Sequence, residues 1–147
     1  MPTRVAPLSH VELDAWRSFL RAHAKVTRVL DAELAAECEM SLGTYEVLLH
    51  LNDAPGRRLR MTELADRVLL SRSGLTRLVD RMEREGMLRR ESCPSDLRGT
   101  FATLTDEGVA RLKAAAPIHL RGVREHVVDR LTPEELATLA AALGRLV

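Results

Sequence analysis

The chain has 147 residues, of which 46% are hydrophobic, 29% charged and 3% aromatic, and its formal net charge is +1. That length supports one domain whose core buries roughly 68–70% of the unfolded chain's surface, and the apolar content excludes a disordered chain. No apolar run approaches the roughly 18 residues of a membrane helix, no signal-peptide core opens the chain, and two cysteines do not make a disulfide scaffold. A helical, cytoplasmic protein without membrane association is therefore expected.

Taken in chain order, Ser9 reads as an N-cap and Glu12 completes a capping box. Leu13, Trp16, Leu20, His23, Thr27, Leu30 and Leu34 then recur at three- and four-residue spacing, with no Gly or Pro between residues 10 and 40. One long helix over roughly 10–38 follows. At 1.5 Å per residue it spans roughly 43 Å, longer than a small core needs, so part of its apolar face is expected to pack on a second chain. Ser41 can cap a second helix through Tyr45 to Leu51, which Asp53-Ala54-Pro55-Gly56 ends in a turn.

Leu59 and Met61 suit a very short strand, and Thr62 is expected to cap a short helix containing Leu64, Ala65 and Val68. Leu70-Ser71 makes a break, after which Ser71 caps a helix running to about Glu85 and closed by Gly86. Residues 87–92 and 100–104 are strand-like and flank the turn-rich Cys93-Pro94-Ser95-Asp96-Leu97-Arg98-Gly99, which predicts a β-hairpin. Thr105 can cap a helix interrupted at Pro117 by a kink or a restart. Thr132-Pro133-Glu134-Glu135 starts a last helix through Leu136, Leu139, Leu143 and Leu146.

The small net charge conceals an asymmetry. Residues 1–56 sum to −3, residues 57–100 to +4 and residues 101–147 to 0. The basic segment coincides with a short helix, a break and a longer helix, the layout of a helix-turn-helix. On that longer helix Leu75, Leu78, Val79 and Met82 form an apolar stripe. Ser73, Thr76, Arg77, Asp80 and Arg84 share the opposite side, with Ser71 and Arg72 at its N-terminal end. Short hydroxyls and long donors at that end suit entry into a DNA major groove. A basic hairpin directly afterwards has the order of a winged helix, with Arg98 in the loop for a narrow minor groove and Arg90 at its base as a further DNA-binding candidate. Asp96 can brace Arg98 or an arginine of residues 72–84, or it can form a simple Asx-turn.

At these residues the chain resembles the MarR (multiple-antibiotic-resistance regulator) family. The matching stretches are Met61-Thr62-Glu63-Leu64-Ala65, the run from Ser71 to Arg90, Asp96-Leu97-Arg98-Gly99 and Leu104-Thr105-Asp106-Glu107-Gly108. The resemblance implies a mainly α fold with a small β-hairpin wing, in which residues 42–104 form the winged helix-turn-helix. It implies dimerisation through residues 10–38 and 106–147 of a single domain spanning 1–147. It further implies a homodimer that binds double-stranded DNA at a pseudopalindromic operator, usually as a repressor, with a small-molecule effector or oxidant relieving repression. Family roles in the recognition helix and wing map onto Ser71 to Arg77 and onto Arg98.

Other chemistry is sparse. His10, His23, His50, His119 and His126 are scattered, and no phosphate loop, Cys-x-x-Cys or His-Glu-x-x-His pattern is present. Neither an enzyme nor a metal or other cofactor is expected. A ligand pocket between the dimer helices and the DNA-binding lobe would draw on Trp16, His23, Tyr45 and His50, although core packing also suits Trp16 and Tyr45. Redox sensing is the alternative regulation. Cys93 lies near Arg89, Arg90 and Arg98, whereas Cys38 sits between Glu37 and Glu39, whose charges oppose a thiolate. The competing class is a helical interaction dimer that does not bind DNA and whose basic face is merely solvated.

Overall fold

Side-chain caps fix where the helices begin. Helix α1 (His10–Cys38) opens on the expected capping box. The Glu12 N–H donates to Ser9 Oγ at 3.3 Å, and the Ser9 N–H donates to Glu12 Oε2 at 2.7 Å. Helix α2 (Leu42–Asp53) is capped by Ser41, and its first N–H, on Leu42, donates to Asp31 Oδ1 of α1 at 2.8 Å. The structure is a computed structural model and describes residues 5–68, 70–93 and 96–147. The side chains of Cys93, Asp96, Leu97 and Arg98 lie outside the described residues, and with them the roles expected for Cys93, Asp96 and Arg98.

After α2 come strand β1 (Arg58–Arg60), helix α3 (Met61–Arg67) and helix α4 (Arg72–Arg84). Met61 is the first residue of α3 rather than part of the strand, and Thr62 does not cap that helix. Arg60 is the N-cap, its N–H donating to Glu63 Oε2 at 2.9 Å. The helix thus starts two residues earlier than a Thr62 cap would place it, and the Glu63 carboxylate, at its third position, satisfies the N–H of the capping residue itself. Strands β2 (Leu88–Cys93) and β3 (Asp96–Leu104) form the hairpin, and β1 joins its other side in an antiparallel sheet of order β1-β3-β2. Leu59 faces Ala102 and Leu88 faces Leu104 across the ladders, and all four are buried.

Helix α5 (Asp106–His126) runs through Pro117 without a restart. Proline costs the helix one hydrogen bond, to the carbonyl of residue 113. Both Lys113 and Pro117 are exposed, so the loss falls on the solvent side of the helix. Helix α6 (Pro133–Leu143) begins with the Thr132/Glu135 capping box and ends before Leu146, which is 70% exposed.

One core joins α2, α3, α4, the sheet and the first half of α5 around Tyr45, Val47, Leu48, Leu51, Leu64, Leu75, Val79, Met82, Leu88 and Leu112. Helix α1 buries only Leu30 and Leu34, and α6 buries nothing. Leu30 packs at Gly122 of α5, where an added Cβ would lie 2.6 Å from Leu30 Cδ2. The same seam carries Arg121–Glu37 and a His126–Glu33 contact of 2.6 Å. No helix among the described residues is long and apolar enough to cross a membrane.

Helix α5 is seated against the turn that leaves α4. A Cβ on Gly108 would lie 2.1 Å from Met87 O and 2.5 Å from Leu104 Cδ1, so only glycine fits. Gly108→Ala is expected to destabilise the fold by about 1–3 kcal/mol, because rigid backbone must move to admit the methyl group. Denaturant midpoints of the two proteins measure this, and equal midpoints contradict the close approach.

Candidate nucleic-acid interface

Helix α4 is anchored by four buried side chains, Leu75, Leu78, Val79 and Met82, which turn its opposite side outward. Ser71 is the N-cap, its Oγ accepting the Gly74 N–H at 3.0 Å and lying 3.3 Å from Ser73 Oγ. Arg72, Ser73, Thr76, Arg77 and Arg84 are exposed along one side. Thr76 Oγ1 donates to Arg72 O at 2.9 Å, which leaves its lone pairs outward. The helix ends in a Schellman turn. The Met87 N–H donates to Met82 O and the Gly86 N–H to Glu83 O, both at 3.0 Å, with Gly86 at φ +78.

Arg90 is placed differently from the other basic residues. From β2 its guanidinium reaches back to α4, 2.6 Å from Asp80 Oδ1 and 3.1 Å from Glu83 Oε1. Its backbone N–H also donates to Glu83 Oε2 at 2.6 Å. That backbone bond first, and the guanidinium second, hold the Glu83 carboxyl below the usual glutamate range. Burial opposes the charge on Arg90, but the Glu83 and Asp80 carboxylates outweigh it and its pKa is raised. Asp80 thus belongs to a brace between helix and wing rather than to the outward face with which its spacing had grouped it.

The outer face of the sheet carries residues that spacing alone did not single out. Strand pairing sets Arg60 opposite Phe101, and the guanidinium carbons of Arg58 and Arg60 lie 3.9 Å and 5.5 Å from the Phe101 ring centre. Between the wing and α4 a cleft of about 400 Å³ is lined by Arg60, Met61, Thr62, Thr76, Arg90, Gly99 and Thr100. These residues are distant in sequence, and only the sheet register brings them together.

The model of the MarR family matches residues 33–99. The repressor YetL of Bacillus subtilis is 31% identical over 134 residues, covering 91% of this chain and 79% of YetL. The crystal structure of Sco3205, a MarR family regulator from Streptomyces coelicolor, in complex with DNA, superposes with a TM-score of 0.89. It shares 42% identity over 97% of this chain and 89% of that one. The chain belongs to the MarR family. The match to a further relative, the B. subtilis regulator MhqR, is 31% identical and spans 66% of that protein's length. MarR proteins are transcriptional regulators, not enzymes, and the chain shares that class.

In this MarR protein the four residues expected to line a ligand pocket are not brought together. Tyr45 is buried in the core and stacks on His119 of α5 at 4.3 Å between ring centres. Burial lowers the His119 pKa and raises that of Tyr45. Trp16 is 52% exposed, its ring 6.2 Å from that of Phe19, so core packing within the chain does not account for it. His50 is half-buried on α2. His23 alone of the four lines a cavity of about 340 Å³, together with Thr27, Arg28, Asp31, Leu42, Gly43, Glu46 and Leu70. Cys38 is partly buried and its Sγ donates to Leu34 O at 3.2 Å. Among the described residues, ligating atoms of Glu33, Glu125 and His126 lie within 4.8 Å of one another, and the Glu33–His126 hydrogen bond accounts for two of the three.

The Glu83 brace makes a testable contribution to stability. Because the folded carboxyl titrates below its ordinary value of 4.5, its stabilisation is complete above that pH and is lost as pH falls through the folded value. Glu83 is more than a third exposed, so screening limits the contribution to under about 1 kcal/mol. Glu83→Gln is expected to be less stable than wild type at neutral pH, with the gap closing below pH 4.5. Chemical denaturation at both pH values reads the difference, and a gap independent of pH contradicts the brace.

Proposed function

We propose that the protein is a DNA-binding transcriptional repressor acting as a homodimer on a pseudopalindromic operator. The observation that carries this reading is the α4 surface, where Ser71, Arg72, Ser73, Thr76 and Arg77 are presented outward by a helix locked through its buried stripe. Those side chains offer guanidinium donors and hydroxyl groups for the base edges of a major groove, with Arg84 and Arg98 toward phosphates and the minor groove. Arg90 supports the helix from behind, and in this reading Asp96 braces Arg98 or an arginine of residues 72–84. The DNA-bound structure of Sco3205 and the repressor name of YetL support the same reading.

The dimer is supported by apolar side chains that the chain leaves uncovered. Trp16, Phe19 and Leu20 on α1 and Leu139 on α6 are each at least 40% exposed. Exposed apolar side chains on the two terminal helices suit an interface, and a twofold partner would place two recognition helices one helical turn of DNA apart. A small-molecule effector in the cavity beside His23 would bear on both α1 and Leu70, next to the α4 cap. Its binding would alter that spacing and release the operator.

Two measurements test this. Genomic fragments retained by the protein yield the operator, on which Arg77→Ala is expected to cost about 1–3 kcal/mol by fluorescence anisotropy. Wild-type affinity in that variant removes Arg77 from base readout. In sedimentation equilibrium the wild type is expected to be a dimer and Leu20→Glu a monomer, since a carboxylate in an apolar interface is strongly unfavourable. A monomeric wild type overturns the dimer.

A further inference from the structure

We propose that the cleft between α4 and the wing is a phosphodiester seat in which Arg60, held against Phe101, takes the DNA strand that runs between recognition helix and wing. The inference rests on the DNA-binding reading above and adds to it a contact from outside both the recognition helix and the wing loop. Adjacent major and minor grooves share one sugar–phosphate strand as their common wall. A protein with a helix in one groove and a wing in the next must straddle that strand, so the space between helix and wing is where the strand lies.

The chemistry of the cleft fits a phosphate. Its lining combines guanidinium groups with the hydroxyls of Thr62 and Thr100, beside Met61 and a Thr76 whose own hydroxyl proton is given to Arg72 O, and no carboxylate lines it among the described residues. The cavity at the α1–α4–α5 junction, by contrast, includes Asp31, Glu39 and Glu85, and the cavity beside His23 includes Asp31 and Glu46. Gly99 adds no side chain to fill the space.

The two arginines of the cleft are restrained by different means, and this decides which one serves the anion. Asp80 and Glu83 balance the charge of Arg90 and engage three of its five N–H donors. The Arg60 backbone N–H is bonded to the Glu63 carboxylate, but its guanidinium has no ion-pair partner among the described residues and lies 5.5 Å from the centre of the Phe101 ring, with Arg58 stacked at 3.9 Å. An aromatic face restrains a guanidinium without neutralising it and leaves its in-plane N–H donors free for a phosphate.

The test uses the full chain and a mixed-sequence duplex of about 30 base pairs, because phosphate contacts are sequence-independent. Anisotropy titrations between about 50 and about 200 mM salt give the slope of log affinity against log salt. Arg60→Gln is expected to weaken binding and make that slope shallower by about 0.9 per bound protomer, with Arg60→Lys restoring the slope. Phe101→Leu releases the arginine but keeps its charge, so affinity should fall roughly two- to fivefold with the slope unchanged. A wild-type slope in Arg60→Gln, or undiminished affinity in Phe101→Leu, overturns the seat while the DNA reading stands. A wild type that fails to bind the duplex overturns both.

Discussion

Everything that faces outward on α4 depends on the joint at Gly86 and Met87. Three elements meet there, and each is held by backbone. The Schellman turn closes α4, the Thr105 N–H and hydroxyl donate to Met87 O and Gly86 O, and Gly108 lets α5 approach the same carbonyl. Glu83 and Asp80 then catch Arg90 four residues beyond the turn, so that the first residues of the wing are tied back to the helix they leave. Helix α4, the wing and the long α5 therefore share one fixed point. Backbone bonds at such a point resist rotation better than a contact between long side chains, which loses much of its value to solvent and to rotamer entropy.

That rigidity gives meaning to the electrostatics. The chain is nearly neutral overall, yet the segment from residue 57 to residue 100 carries +4 and the preceding 56 residues carry −3. Part of the basic excess is internal. Arg90 balances two carboxylates, while Arg58 and Arg60 are restrained by an aromatic ring that leaves their charges available. A surface of this kind attracts a polyanion over a narrow strip. On the proposed DNA complex it relies on the position of a few donors more than on bulk charge.

The division between scaffold and lobe is equally physical. Before Leu30, α1 buries none of its residues within the chain, and α6 buries none at all, so both present apolar side chains that the core does not use. The polar fastenings between α1 and α5, His126 to Glu33 and Arg121 to Glu37, sit near the close approach at Gly122 and keep these two helices in register. In the proposed dimer a movement of α1 against α5 would be transmitted to α4 through α2 and the joint at Met87.

Much of the architecture was legible in the residues because the signals are local. Caps at Ser9, Ser41, Ser71, Thr105 and Thr132, the stripe Leu75-Leu78-Val79-Met82 and the glycine after α4 each act within a few residues of backbone. Local signals misled where two were available. Thr62 looked like a cap, but the helix starts two residues earlier with Arg60 as its N-cap, and of the kink or restart expected at Pro117 the restart does not occur, the solvent side of the helix tolerating the missing bond. The sequence by itself determined the order of elements and the face that α4 buries, since period and capping are encoded along the chain. Tertiary structure alone decided which charges remain free. The partners of Arg90, the ring beneath Arg60 and the burial of Tyr45 against His119 follow from strand register and helix packing, which bring together residues that no spacing along the chain relates.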